Sequence, residues 1–242
     1  MPVKFSLVIA SLLAMQPGFA PGLHRATFPI EGRGPMPYGI SIPRGYNGTD
    51  ARPLVLALHP GGVRMPYYGA AFIQQVAGPG LENLRAIIVA PDCPTQSWTD
   101  PVADQAVMKL LDRVMTDFKI DRRRILVVGF SLGGRGTWFM ASHHTDFFTA
   151  AIPMAASTGD DPIDRLATMP TYVIHSRDDQ VVPFAPAERN ARELEKMGRT
   201  IKYEWLQDIG HYEMGGYVES LRRAGRWIDE KWRAPEKAVI KN

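Results

Sequence analysis

Ile125-Leu126-Val127-Val128-Gly129-Phe130-Ser131-Leu132-Gly133 is the stretch that decides how this chain is read. Four consecutive apolar residues suit a strand buried on both faces. A helical pattern follows, to about His143, so the serine stands at the apex of a strand–turn–helix junction. Gly129 and Gly133 lie two residues to either side of it, which lets the chain turn sharply and leaves the hydroxyl exposed. Leu132 then offers its backbone N–H at the start of a helix. The pentapeptide alone is common, and an ordinary strand-to-helix turn is the competing reading. The flanking pattern favours a nucleophile elbow.

Working outward, the same alternation recurs along the chain. Ala26 to Ile30 and Tyr38 to Pro43 read as short strands around a Gly- and Pro-rich turn. Leu54 to Leu58, Ala86 to Ala90, Ala150 to Met154, Thr171 to His175 and Ile201 to Leu206 are further strands, mostly continuous apolar runs. Ala70 to Val76, Pro101 to Phe118, Ala185 to Met197 and Gly216 to Trp232 read as helices. In the second of these, Val102, Ala106, Leu110, Val114 and Phe118 share one face at a spacing of four. Strands alternating with helices imply an α/β chain with a doubly wound, mostly parallel sheet of about eight strands. The segment 21–242 reads as one catalytic domain, with no convincing linker or repeat.

Composition narrows the function classes. The chain has 242 residues, of which 45% are hydrophobic, enough for one well-buried core. Its net charge of +3 is dispersed, and Arg122-Arg123-Arg124 lacks the aromatic interleaving of a nucleic-acid surface. The single cysteine, Cys93, excludes an intrachain disulfide and a multi-cysteine metal cluster, and it reads as a small buried residue. Phe5 to Met15 is an apolar run after Lys4, with Gly18-Phe19-Ala20 as a cleavage-like site. Residues 1–20 are therefore read as a signal peptide or an N-terminal extension, the former implying a secreted or periplasmic protein and the latter allowing a cytoplasmic one. The run is too short to span a bilayer, so no stable membrane insertion is expected.

A serine hydroxyl needs a base, and the base needs an orienting acid. His211 lies in Asp208-Ile209-Gly210-His211, in the loop between the last strand and the last helix, where a base is expected. His175 ends a strand and reads as a buttress, while His143 and His144 lie away from the mouth of the sheet. The acid lies in His175-Ser176-Arg177-Asp178-Asp179-Gln180-Val181-Val182-Pro183, and on chemistry alone either Asp178 or Asp179 can serve; Asp208 is better explained as a turn residue. The order Ser, Asp, His is that of α/β-hydrolases. For the developing oxyanion, Leu132 supplies one N–H, and Gly61, Gly62 or Val63 in the loop that follows His59-Pro60 supplies the second, since Pro60 has none. Trp98, Tyr67 and Tyr68 lie in loops and are candidates for lining a substrate pocket, with plain packing an equal alternative; Trp138 reads as core.

The ordered motifs His59-Pro60-Gly61-Gly62, Ala90-Pro91-Asp92 with Trp98, Gly129-Phe130-Ser131-Leu132-Gly133-Gly134, His175 to Pro183, and Gly210-His211 resemble one group of α/β-hydrolase esterases. That group includes feruloyl esterases, polyhydroxybutyrate-depolymerase-like proteins and prolyl-oligopeptidase-like peptidases. The resemblance covers about residues 26–232. The group's acid segment reads His-Gly, two variable residues, Asp, two variable residues, Val-Pro, and fitting it here selects Asp179. Pro60 stands where the group usually has glycine, which moves the second donor to Gly61 or later, and Ser176 replaces the group's usual glycine after the histidine with little mechanistic consequence. The connection Ala155 to Pro170 leaves no room for a large lid domain, which implies an open site suited to small-molecule or polymer-end esters. The expectation is a serine carboxylic-ester hydrolase with Ser131, His211 and Asp179 as catalytic residues and no metal or organic cofactor. A serine peptidase or polyester depolymerase on the same fold is the alternative, and a non-catalytic binding module a more distant one.

Overall fold

Strand β5 (Ile120–Phe130) runs through the middle of the protein and divides its core. Ile125 and Val127 point to one face, where they join Leu110, Val114, Trp138 and Leu194. Leu126, Val128 and Phe130 point to the other, where they join Phe72, Val76, Leu221 and Ile228. A period of two on a strand covered on both faces gives the continuous apolar run seen in the sequence. Each such fully buried side chain contributes roughly 1.5–3 kcal/mol over its exposed state. This computed structural model describes residues 20–62, 65–160, 163–166 and 169–234. The segment read as a signal peptide or extension, except its last residue, and Val63 lie outside them.

The other strands are β1 (Gly22–Phe28), β2 (Met36–Ile42), β3 (Arg52–Leu58), β4 (Ile87–Pro91), β6 (Ala150–Met154), β7 (Thr171–Ser176) and β8 (Ile201–Leu206). They form one sheet in the order β1-β2-β4-β3-β5-β6-β7-β8. Strands β3 to β8 are parallel, whereas β2 is antiparallel to both β1 and β4. The expected mostly parallel, doubly wound sheet therefore forms, with an antiparallel hairpin added at one edge. Among the described residues six α-helices accompany it: α1 (Tyr68–Phe72), α2 (Gly78–Leu81), α3 (Pro101–Asp117), α4 (Leu132–His143), α5 (Phe184–Lys196) and α6 (Val218–Arg233).

The first helical region departs from the simple helix expected over 70–76. Between α1 and α2 the chain widens into a π turn, Ile73–Ala77, in which the Gly78 N–H donates to the Ile73 carbonyl. Pro79 follows directly and has no N–H for the regular ladder, so the wider turn accommodates it. Between β6 and β7 the described residues hold only a short 3-10 turn, Ile163–Leu166.

Chain reversal places the functional crevice. β4 lies on one side of β3 and β5 on the other, so the loops leaving the carboxyl ends of β3 and β5 diverge there. Open α/β sheets bind ligands at such switch points. The β3 loop carries His59 to Gly62, and β5 ends at Phe130, with Ser131 directly after it.

Candidate active site

Ser131 sits at φ 54°, ψ −115°, outside both the helical and the extended regions. A non-glycine residue there carries on the order of 1–3 kcal/mol of strain and persists only where its surroundings enforce it. Several contacts do so. The Ser131 N–H donates to the Met154 carbonyl at 2.9 Å, and the Ser131 carbonyl accepts from the Arg135 N–H at 2.9 Å. The flanking glycines have ordinary φ values, so they do not supply the turn's unusual dihedral. They supply clearance. A Cβ at Gly133 would overlap the Leu58 carbonyl oxygen, one at Gly129 the Gly133 carbonyl oxygen, and one at Gly134 the Met154 carbonyl oxygen. Helix α4 thereby lies directly against the ends of β3 and β6, with the serine held above them.

Three side chains converge at this apex. The Ser131 Oγ lies 2.9 Å from His211 Nε2, and His211 Nδ1 lies 2.7 Å from Asp179 Oδ2. The other oxygen of Asp179, Oδ1, accepts the N–H groups of Val181 at 2.9 Å and Val182 at 2.7 Å. Burial pushes the Asp179 carboxyl up, but the hydrogen bond from His211 and the two backbone donors outweigh it and hold its pKa below the ordinary carboxylate value. His211 is buried, with Phe130 against one side of its ring and Tyr212 edge-on at 5.6 Å. Asp178 points elsewhere: its Oδ2 accepts the Asp208 N–H at 2.7 Å and ties two loops together. Asp208, at φ 57°, is a turn residue, as its sequence context implied.

The loop after β3 completes the mouth. Leu132 opens α4, where the first N–H groups have no partner within the helix. Gly61 lies against it: a Cβ at Gly61 would meet the Leu132 side chain at 3.6 Å, an ordinary contact. Gly62 has φ 133°, a conformation side chains rarely adopt, so glycine is required at 62 for its backbone. Both glycines and Leu132 line a cleft of about 920 Å³ that extends past Tyr68, Cys93 and the β1–β2 turn. Cys93, expected to be buried, is half-buried on this wall.

The aromatic candidates separate. Tyr68 lines the cleft and packs its ring 4.5 Å from that of His59. Tyr67 faces away toward Arg25, whose guanidinium lies 5.6 Å from the ring centre. Trp98 is fully buried and does not line the cleft; its indole N–H donates to the His59 carbonyl at 3.0 Å, and its Cβ fits against Gly136. Trp98 is therefore a support of the loop rather than part of a pocket wall.

His59 lies in this loop, and its local sequence assigns it no task. The structure makes it a brace. Its Nδ1 donates to the Pro60 carbonyl at 2.6 Å, and its Nε2 accepts the Cys93 N–H at 3.0 Å. Burial lowers its pKa to about 4, against the raising effect of the Pro60 bond, so the ring is neutral as both hydrogen bonds require. Asp92 stands in the Ala90-Pro91-Asp92 motif, but its task is not legible there, because the N–H groups it accepts, from Tyr67 at 2.6 Å and Gly69 at 2.8 Å, lie far upstream. Gln180 accepts the His211 N–H, and Tyr217 accepts the Ser176 N–H; no local pattern marks either. Among the described residues, no group of three or more His, Cys, Asp or Glu side chains is arranged to hold a metal ion, and no helix is long and apolar enough to cross a membrane.

The His59 brace has a pH signature. In the unfolded chain this imidazole titrates near 6.5, and in the fold at about 4. Between those values the unfolded chain takes up a proton that the folded chain refuses. Its contribution is thus intact above pH 6.5 and is lost as pH falls toward 4, by about 3 kcal/mol in full. Urea denaturation at pH 7.5 and 4.5 is expected to show a smaller loss for His59→Gln than for the parent. Equal losses in both would contradict the brace.

The sequence profile of the Dienelactone hydrolase family matches residues 91–222, more than half of the chain. That segment contains Ser131, Asp179 and His211 and ends short of the His59–Gly62 loop on its N-terminal side. The probable feruloyl esterase C of Aspergillus niger is 25% identical over 186 residues, covering 69% of this chain and 61% of that protein. Its Aspergillus terreus counterpart is 27% identical over 201 residues, covering 75% and 68%. Among solved structures, a thermostable esterase superposes with a TM-score of 0.73 at 24% identity, over 86% of this chain and 62% of its own, and shares the fold. The chain therefore spans less than two thirds of the length of the first of these relatives and of that structure.

Proposed function

Because this chain belongs to the dienelactone hydrolase family, we propose that it is a serine carboxylic-ester hydrolase acting on short-chain or aromatic esters through an acyl-enzyme. The observation that carries this reading is the continuous run of contacts from Ser131 Oγ through His211 to Asp179, at 2.9 and 2.7 Å. With Asp179 ionised, His211 carries its proton on Nδ1 and presents the bare Nε2 to the serine. Ser131 Oγ attacks the ester carbonyl carbon while Nε2 takes its proton. The carbonyl oxygen becomes an oxyanion beside the N–H groups of Leu132 and of Gly61 or Gly62. Collapse of this intermediate expels the alcohol, which takes the proton from Nε2. Water, giving its proton to the same nitrogen, then releases the acid and restores Ser131. The likeness to two proteins named as feruloyl esterases supports an aromatic acyl group, and the cleft beside Leu132 offers space for one.

A peptidase would use the same groups but must protonate a poorer leaving group. The test is a panel of p-nitrophenyl esters from acetate to octanoate, methyl ferulate, a polyester, and a matched p-nitroanilide. Ester turnover is expected to exceed that of the matched anilide by at least about a hundredfold. Comparable rates on the two would favour the peptidase reading, and turnover confined to the polyester would favour the depolymerase.

A further inference from the structure

Asp179 is approached by a second imidazole. His175, the penultimate residue of β7, is fully buried, and its Nε2 lies 3.3 Å from Asp179 Oδ2, the same oxygen that faces His211. That nitrogen also lies 3.1 Å from the Val182 carbonyl oxygen, which can only accept. The proton of His175 therefore sits on Nε2. Its Nδ1 is buried with no hydrogen-bond partner among the described residues, which fits an unprotonated nitrogen better than a stranded N–H. The ring is thus oriented with its one N–H at the junction of Val182 and Asp179.

The loop closes on itself through this ring. Val182 gives its N–H to Asp179 Oδ1 and its carbonyl to His175, so the carboxylate, the loop backbone and the imidazole form a single cycle. Around it, α5 contributes Phe184, edge-on to the His175 ring at 5.9 Å, and β8 contributes Trp205 as the register partner. Neither titrates. The ionisable groups that face the pair are His211 and, beyond it, Tyr217, whose hydroxyl is pushed up by burial and by Asp179. Burial likewise lowers the pKa of His175, against the opposing effects of Val182 and Asp179, which keeps it neutral.

We propose that His175 is a positioning residue for the hydrolytic reaction: its Nε2–H, bonded to the Val182 carbonyl and 3.3 Å from Asp179 Oδ2, holds the acid loop and sets a positive N–H dipole beside the oxygen that faces His211. This rests on the hydrolase reading above. That nearby dipole draws on the negative potential of Oδ2, so removing the His175 N–H leaves more of it on His211. Activity then fails at a higher pH on the acid side. The loosened loop also holds the acid less well in the transition state, where the His211 charge develops, and this lowers kcat rather than raising KM.

The experiment compares the parent, His175→Phe and His175→Gln by pH profiles of kcat and kcat/KM on a p-nitrophenyl ester. Phenylalanine keeps a ring without the donor. Glutamine returns an N–H near the Nε2 position. His175→Phe is expected to lower kcat about tenfold, with KM changed by less than about twofold, and to move the acid limb up by about half a pH unit. His175→Gln is expected to restore the limb to the parent's position. A folded His175→Phe with the parent's kcat and acid limb would overturn the proposal, as would a glutamine variant displaced as far as the phenylalanine one. Long-range 1H–15N NMR of the parent's histidine rings is the measurement that needs no variant. It is expected to show His175 with its proton on Nε2 through the active pH range, and a proton on Nδ1 alone would also overturn the proposal. Parent-like turnover by Ser131→Ala would instead remove the hydrolase reading itself, and so separates the two failures.

Discussion

Ser131→Ala is expected to lose ester turnover by about four to six orders of magnitude while keeping the fold. The size follows from the proposed chemistry. Alanine has no oxygen to attack the carbonyl, so no acyl-enzyme forms, and His211 has only water to activate in a site shaped for a serine. The modest structural effect follows from the contacts. The Ser131 side chain makes its hydrogen bond to His211 alone among the described residues, whereas its backbone N–H and carbonyl, which hold the turn, survive the substitution. Alanine adopts φ 54° at much the same cost as serine, so urea denaturation is expected to place the variant within about 1 kcal/mol of the parent. Turnover of p-nitrophenyl acetate is the readout, and it needs a preparation free of contaminating esterases, since the expected residual rate is small.

Gly133→Ala is the substitution expected to cost the fold most. Its Cβ would overlap the Leu58 carbonyl oxygen and sit 2.5 Å from the Leu58 carbonyl carbon and 2.8 Å from the His59 carbonyl oxygen. These are backbone atoms at the end of a central strand, and they cannot turn aside as a flexible side chain can. The start of α4 must then separate from the end of β3, which pulls Ser131 and Leu132 away from the His59–Gly62 loop. Overpacking of this kind against backbone is expected to destabilise by about 3–5 kcal/mol, a large part of a typical domain's stability. Gly61→Ala is the matched control, because among the described residues its Cβ meets only the Leu132 side chain, at 3.6 Å. It is expected to change stability by less than about 1 kcal/mol. Denaturant midpoints check both, and a Gly133→Ala midpoint equal to the parent's would contradict the clearance role.

These two sites also mark what the sequence could and could not say. The strands were legible because a sheet covered on both faces needs uninterrupted apolar runs, and the loops that follow them carry the histidines and aspartates in chain order. Pairing direction was less legible: the antiparallel addition of β1 and β2 depends on contacts between strands that no local pattern encodes. The glycines of the elbow were visible, but their physical role was not. They read as turn formers, whereas the unusual dihedral falls on Ser131 and the glycines admit neighbouring carbonyls. Trp98 looked like a loop aromatic available to a substrate; only the third dimension shows the small Gly136 that lets it sink beneath the His59 loop. Likewise His59, Asp92 and Gln180 act on backbone groups distant in sequence, at separations of 34, 25 and 31 residues. Supports of this kind leave no periodicity or spacing behind, whereas a nucleophile between glycines does.

The nucleophilic role of Ser131 is tested by covalent labelling of the folded protein with a fluorophosphonate, followed by mass spectrometry of its peptides. One phosphonyl group per chain is expected, on Ser131, with labelling abolished in Ser131→Ala and strongly slowed in His211→Ala. A protein that stays unlabelled, or that takes the label on another residue while Ser131 remains free, would contradict it.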